Sequence, residues 1–125
     1  MSVEATFIAA GRARRLVWLT EPSGRYRLVW LTEPSGRYRL VEPYMVFHSS
    51  TGKRLLHLYQ VGGYSAGSIL RGWKNPEVSV FDSAEMLEET WVPRGDYNPF
   101  NEEMFPEVVF AVPTHDGRVR AADVE

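Results

Sequence analysis

The chain contains no cysteine. Disulfide frameworks and thiolate metal sites are therefore excluded, and the sequence is compatible with a reducing compartment, which we read as cytoplasmic. Histidine is scarce. His48, His57 and His115 show no metal-ligand spacing and no obvious carboxylate third ligand, so no metal and no other cofactor is expected. No apolar run approaches the ~20 residues of a membrane span. The stretch Ala5 to Ala10 is too short for the apolar part of a signal sequence, and arginines follow it rather than precede it. No membrane association is expected. Catalytic signatures are missing too. Gly62-Gly63-x-x-x-Gly67 lacks the Gly-Lys-Ser/Thr ending of a phosphate loop. There is no Gly-x-Ser-x-Gly elbow, and the adjacent Glu88 and Glu89 do not face each other as a paired acid and base would. The inventory predicts a binding protein and not an enzyme.

What is present suits one domain spanning residues 1–125. The chain is 44 % apolar, enough for one core. Its net charge of −2 conceals an asymmetry: residues 1–74 hold eleven Lys/Arg against four Asp/Glu, and residues 75–125 hold three against twelve. A basic half can attract phosphates; two oppositely charged surfaces of one domain explain the pattern equally.

Arg15 to Tyr26 recurs letter for letter as Arg27 to Tyr38, and a third copy begins at Arg39-Leu40-Val41 before diverging at Glu42. The identity points to a recent or engineered duplication. Each unit reads as a strand (Leu-Val-Trp-Leu) followed by a turn (Glu-Pro-Ser-Gly). One copy is surplus to any simple sheet. Because copy 27–38 adjoins the following sequence, Leu28 to Thr32 is expected as the first strand, against Arg39 to Tyr44. Copy 15–26 is then expected as a displaced arm with exposed apolar residues, joining two chains into a homo-oligomer.

The rest reads as a short helix over 4–13, a long strand over Tyr38 to His48 with an edge or bend at Pro43, and a hairpin loop over Ser49 to Lys53. A strand over Arg54 to Val61 places Leu56, Leu58 and Gln60 on one side and Leu55, His57 and Tyr59 on the other. Gly62 to Ser68 reads as a loop, 69–81 as a strand broken at Asn75-Pro76, and 83–91 as ambiguous between helix and strand. A loop over Arg94 to Pro106, a last strand over Glu107 to Val112 and a frayed tail over 114–125 complete the chain. Many short strands suggest a mostly-β fold, a small barrel or sandwich.

The strongest binding signal is arginine interleaved with aromatics: Arg25, Tyr26 and Arg27, then Arg37, Tyr38 and Arg39, then Arg71, Trp73 and Lys74. Aromatic platforms flanked by cations bind single-stranded nucleic acid; a plain strand with arginine out and tyrosine in gives the same pattern.

Arg39-Leu-Val-Glu-Pro-Tyr44, Leu58-Tyr-Gln-Val-Gly-Gly-Tyr-Ser65, Gly72-Trp73-Lys74 and Pro93-Arg-Gly-Asp-Tyr-Asn-Pro99 occur in that order. In this order and spacing the chain resembles a WYL domain across roughly residues 12–112, in particular the short WYL-like proteins without a helix-turn-helix. The resemblance implies a small Sm/SH3-like antiparallel barrel of about five strands. It also implies a ligand-sensing regulatory role in bacterial transcription or phage defence, with nucleic acid or a nucleotide-type ligand. The expected ligand-binding residues are Arg39, Tyr59, Gln60, Trp73 and Lys74, with Tyr97 as a neighbouring wall. The chain departs from the family in three places. The Trp-Tyr-Leu triplet is missing, with Arg54-Leu55-Leu56 near its place. Glu77 stands where relatives often carry arginine, and one copy of the 12-mer is surplus. The alternative is an assembly module that dimerises and has no small ligand.

Overall fold

The computed structural model describes residues 2–21, 37–63 and 71–123. Helix α1 covers Val3–Ala13. The Ser2 hydroxyl caps its start by accepting from the Ala5 amide at 3.0 Å, and Arg14, in the left-handed conformation, ends it. Among the described residues six strands follow: β1 (Arg15–Glu21), β2 (Arg37–His48), β3 (Arg54–Gly63), β4 (Gly72–Lys74), β5 (Ser83–Thr90) and β6 (Glu107–Ala111). A 3-10 turn over Val78–Val80 precedes β5.

All pairings are antiparallel, in the order β4-β3-β2-β1-β5, with β6 also on β2. β2 is the spine. β3 runs along one of its edges, while β1 takes residues 37–41 of the other edge and β6 takes residues 45–48. Hence Pro43, which has no N–H to give, lies where the outer partner changes from β1 to β6. A register irregularity between Pro43 and Met45 marks the same point. The proline lies at a register irregularity of a central strand, not on an edge strand. The β2–β3 hairpin closes through Ser49–Lys53, where the Ser49 N–H donates to the Lys53 carbonyl and Gly52 takes a positive φ of 83°.

Alternation along the strands separates two cores. Towards α1 lie Val17, Leu19, Val41, Val46, Leu56, Leu58 and Phe81, with Phe7 and Ala10 of the helix. On the opposite face lie Tyr44, Met45, Phe47, Trp91, Tyr97, Phe105, Val108 and Val112. The helix sits close to the sheet because Gly11 has no side chain. A Cβ there would stand 2.9 Å from Phe110 Cε2 and 3.1 Å from the Pro43 carbonyl oxygen.

Several expectations need correction. The sheet is open: among the described residues β4 and β5 are its two ends and do not pair with each other, so no closed Sm/SH3-like barrel forms. β4 is only three residues long, too short to reach round and close the sheet. The first copy of the 12-mer, not the second, supplies β1, with Val17 opposite Val41 and Glu21 opposite Arg37. Val17 and Leu19 are fully buried, so Leu16 to Thr20 is no exposed arm. The expected strand Leu28 to Thr32 lies outside the described residues. Within the ambiguous stretch 83–91, Ser83–Thr90 resolves as strand, because the other edge of β1 needs a partner: Val17 pairs with Met86 and Leu19 with Ala84. The tail is not frayed through residue 123. The Asp123 carboxylate accepts from the Val108 amide at 2.8 Å, and Arg120 donates to the Pro99 and Phe105 carbonyls.

Candidate ligand-binding cleft

The face opposite α1 carries a connected set of rings. β3 turns Leu55, His57 and Tyr59 to this side because Leu56, Leu58 and Gln60 take the other. Cross-strand pairing then sets Trp73 of β4 beside Tyr59, their rings 5.3 Å apart and nearly perpendicular. Trp73 lies parallel to His57 at 4.7 Å with an interplanar angle of 6°. Tyr44 lies 4.6 Å from each of Trp73, Trp91 and Tyr97. Such contacts add about 0.5–1.5 kcal/mol each beyond burial.

A cleft of about 280 Å³ opens beside this set. His57, Trp73 and Phe105 supply its aromatic wall; Asn75, Asp96, Asn98 and Asn101 supply a polar rim, with Met104 beside them. Each polar group is held. The Trp73 indole N–H donates to Asp96 Oδ2 at 3.0 Å. Asn98 Oδ1 accepts from the Phe100 amide and Asn101 Oδ1 from the Met104 amide, both at 3.1 Å. His57 Nδ1 meets Asn75 Oδ1 at 2.6 Å. Burial pushes the His57 pKa down to about 4, against a smaller opposing effect of the Asn75 bond. The imidazole is therefore neutral near pH 7, donates through Nδ1 and keeps Nε2 as an acceptor. The three carboxamides accept through oxygen, and an amide NH₂ on each remains to serve as donor. Among the described residues the lining has no lysine or arginine.

Beside the rings, Glu42 is buried and paired. Arg94 donates to both of its carboxylate oxygens at 3.0 Å, the Tyr44 hydroxyl donates to Oε1 at 2.9 Å, and that hydroxyl accepts from the Arg94 amide. The Arg94 guanidinium also lies 3.6 Å from the Tyr59 ring centroid. Burial raises the hydroxyl pKa of both Tyr44 and Tyr97. Tyr97 donates to the Val112 carbonyl at 2.8 Å.

The structure brings three of the six expected site residues together: Tyr59, Trp73 and Tyr97. Tyr97 is almost wholly buried and backs the cleft, and does not line it. The other three lie elsewhere. Arg39 pairs with Glu21 at 2.8 Å and lies over Phe81, against the helix-side core. Gln60 is fully buried and donates to the Gly62 carbonyl. Lys74 is opposite Leu58, on the other face from Trp73. The shared groove of cations and rings therefore does not form, because strand alternation separates them. Sequence reasoning missed His57, Asn75, Asp96, Asn98, Asn101 and Phe105 as lining. The available signals were the period-two position of His57 beside Tyr59 and the asparagine- and aromatic-rich loop over Arg94 to Pro106.

The described residues thus define a class: an open antiparallel sheet, one face covered by a helix and the other carrying a polar-aromatic cleft whose lining has no lysine or arginine. No family model, no curated protein and no solved structure matches the chain. Among the described residues no helix is long and apolar enough to cross a membrane, and no cluster of three or more His, Asp or Glu could hold a metal ion.

Proposed function

We propose that the protein is a non-enzymatic, ligand-sensing regulatory module of WYL-like kind. Its ligand carries a flat heteroaromatic ring, the base of a nucleotide or of a short single strand. The carrying observation is the cleft wall of stacked His57 and Trp73 edged by Asn75, Asn98 and Asn101. Aromatic side chains stack on any base, and the carboxamide NH₂ groups supply donors for the acceptors on a base edge. The lining offers no cation and includes Asp96, which favours a neutral ring inside and leaves any phosphate in solvent. The WYL-like residue order supports the regulatory part of the reading.

The test is a titration of adenosine, guanosine, cytidine and uridine, and of a short single-stranded oligonucleotide, followed by tryptophan fluorescence at low and high salt. At least one nucleoside should bind, with little salt dependence, and Trp73→Ala and Asn75→Ala should each weaken that binding at least about tenfold. Folded protein that binds none of these probes at millimolar concentration refutes the reading.

A further inference from the structure

β1 fills a slot between β2 and β5, and its seven residues are Arg-Leu-Val-Trp-Leu-Thr-Glu. Residues 27–33 are the same seven. Because the two copies are identical, placing the second in the slot at the same register returns every side chain type to its own face. The contacts that hold β1 have counterparts in the second copy. Val17 and Leu19, both fully buried, correspond to Val29 and Leu31. Arg15 Nε donates to the Leu87 carbonyl at 2.5 Å, and Glu21 pairs with Arg39; Arg27 and Glu33 are their equivalents. The Trp91 amide and indole N–H groups bond the carbonyls of Arg14 and Arg15, main-chain acceptors that any residue supplies. The first difference in the shifted arrangement is Tyr26 in place of Arg14, whose guanidinium lies 5.8 Å from the Trp91 ring.

We infer that the β1 slot is degenerate: either Arg15–Glu21 or Arg27–Glu33 fills it in the folded protein. In one arrangement fifteen residues link β1 to β2 and a single residue links α1 to β1. In the other, three residues form the hairpin turn and thirteen join the helix to the strand. Closure cost grows only slowly with length, so moving twelve residues from one connection to the other changes little. The chain therefore holds two strand registers with one set of core contacts, and exchange between them requires β1 to leave both neighbours.

Aspartate at the buried position tests this. Val17→Asp alone and Val29→Asp alone should each leave the sheet folded, with the unfolding equilibrium shifted by less than about tenfold. The double variant should shift it by more than about a hundredfold. In a chain with residues 15–26 deleted, which keeps one copy, a single aspartate at that position should match the double variant. If Val17→Asp alone is as damaging as the double variant, or if the double variant folds like wild type, the inference is overturned. The absence of cysteine permits a direct count. In Val17→Cys and Val29→Cys, each thiol should show a fast and a slow phase of alkylation, the two fast amplitudes summing to about one. A single slow phase at 17, or a single fast phase there, means one fixed register and overturns the inference as well.

Discussion

Deleting residues 15–26 asks how much the repeated segment contributes to stability. The product is the same sequence as deletion of 22–33, because the two copies are identical. The pair Glu21↔Arg37 closes the β1–β2 hairpin, so fifteen residues span it in the full chain. The deletion leaves Pro-Ser-Gly, a three-residue hairpin loop with proline to fix the first φ and glycine free for the left-handed position. Every β1 contact is retained. Shortening the loop fivefold lowers the closure cost by (3/2)RT ln 5, about 1.4 kcal/mol. Two equally filled registers in the full chain would offset at most RT ln 2, about 0.4 kcal/mol, leaving a gain of about 1 kcal/mol. Urea unfolding of both chains, followed by far-UV circular dichroism, measures it as a higher midpoint with little change of slope. A loss of more than about 1 kcal/mol would refute the reasoning, since it would show that the twelve residues bury surface of their own.

His57 makes stability depend on pH. Its folded pKa is about 4, below the unfolded value, so the unfolded chain binds more protons between the two. Stability should be full above about pH 6.5 and fall by about 3 kcal/mol towards pH 4; His57→Gln should flatten that step in denaturant titrations across pH. Replacing Arg94 with methionine leaves the buried Glu42 carboxylate with the Tyr44 hydroxyl alone. Because Arg94 is itself partly exposed, the expected cost is about 2 kcal/mol by urea unfolding. Gly11→Ala should destabilise by about 1 kcal/mol or more in a thermal melt, despite the better helix propensity of alanine, because the new methyl meets Phe110 and the Pro43 carbonyl.

Much of the sheet was legible in the sequence. The alternation of Leu56, Leu58 and Gln60 against Leu55, His57 and Tyr59 is the division between the two cores. The helix over 4–13 and the hairpin at Ser49 to Lys53 were readable from local chemistry. Residues 83–91 were not, since three glutamates suit a solvated helix face as well as an edge strand, and only the need to cover β1 decides. The copy that fills β1 was illegible for a simple reason: two identical segments carry no local preference. The site was half legible. Tyr59 and Trp73 meet because they are cross-strand partners. Arg39 and Lys74 were expected beside them on the strength of sequence proximity, yet facing is set by odd or even position and by which strand pairs with which. The asparagine rim comes from a loop after β5, and nothing local in residues 96–101 points at His57.

β2 supports three other strands, and their distances along the chain differ widely. β3 follows it after a five-residue loop, whereas β6 reaches Met45–His48 only after some sixty residues. A chain emerging from the ribosome can close the β2–β3 hairpin early, but the stretch that brings Asp96, Asn98, Asn101 and Phe105 is anchored last, once β6 docks and Arg120 and Asp123 fasten the end. The cleft is thus complete only once β6 and residues 120–123 are in place. A chain in which β6 has not yet docked holds His57 and Trp73 without Phe105 or the rim of Asp96, Asn98 and Asn101, so synthesis itself sets when the cleft is first assembled.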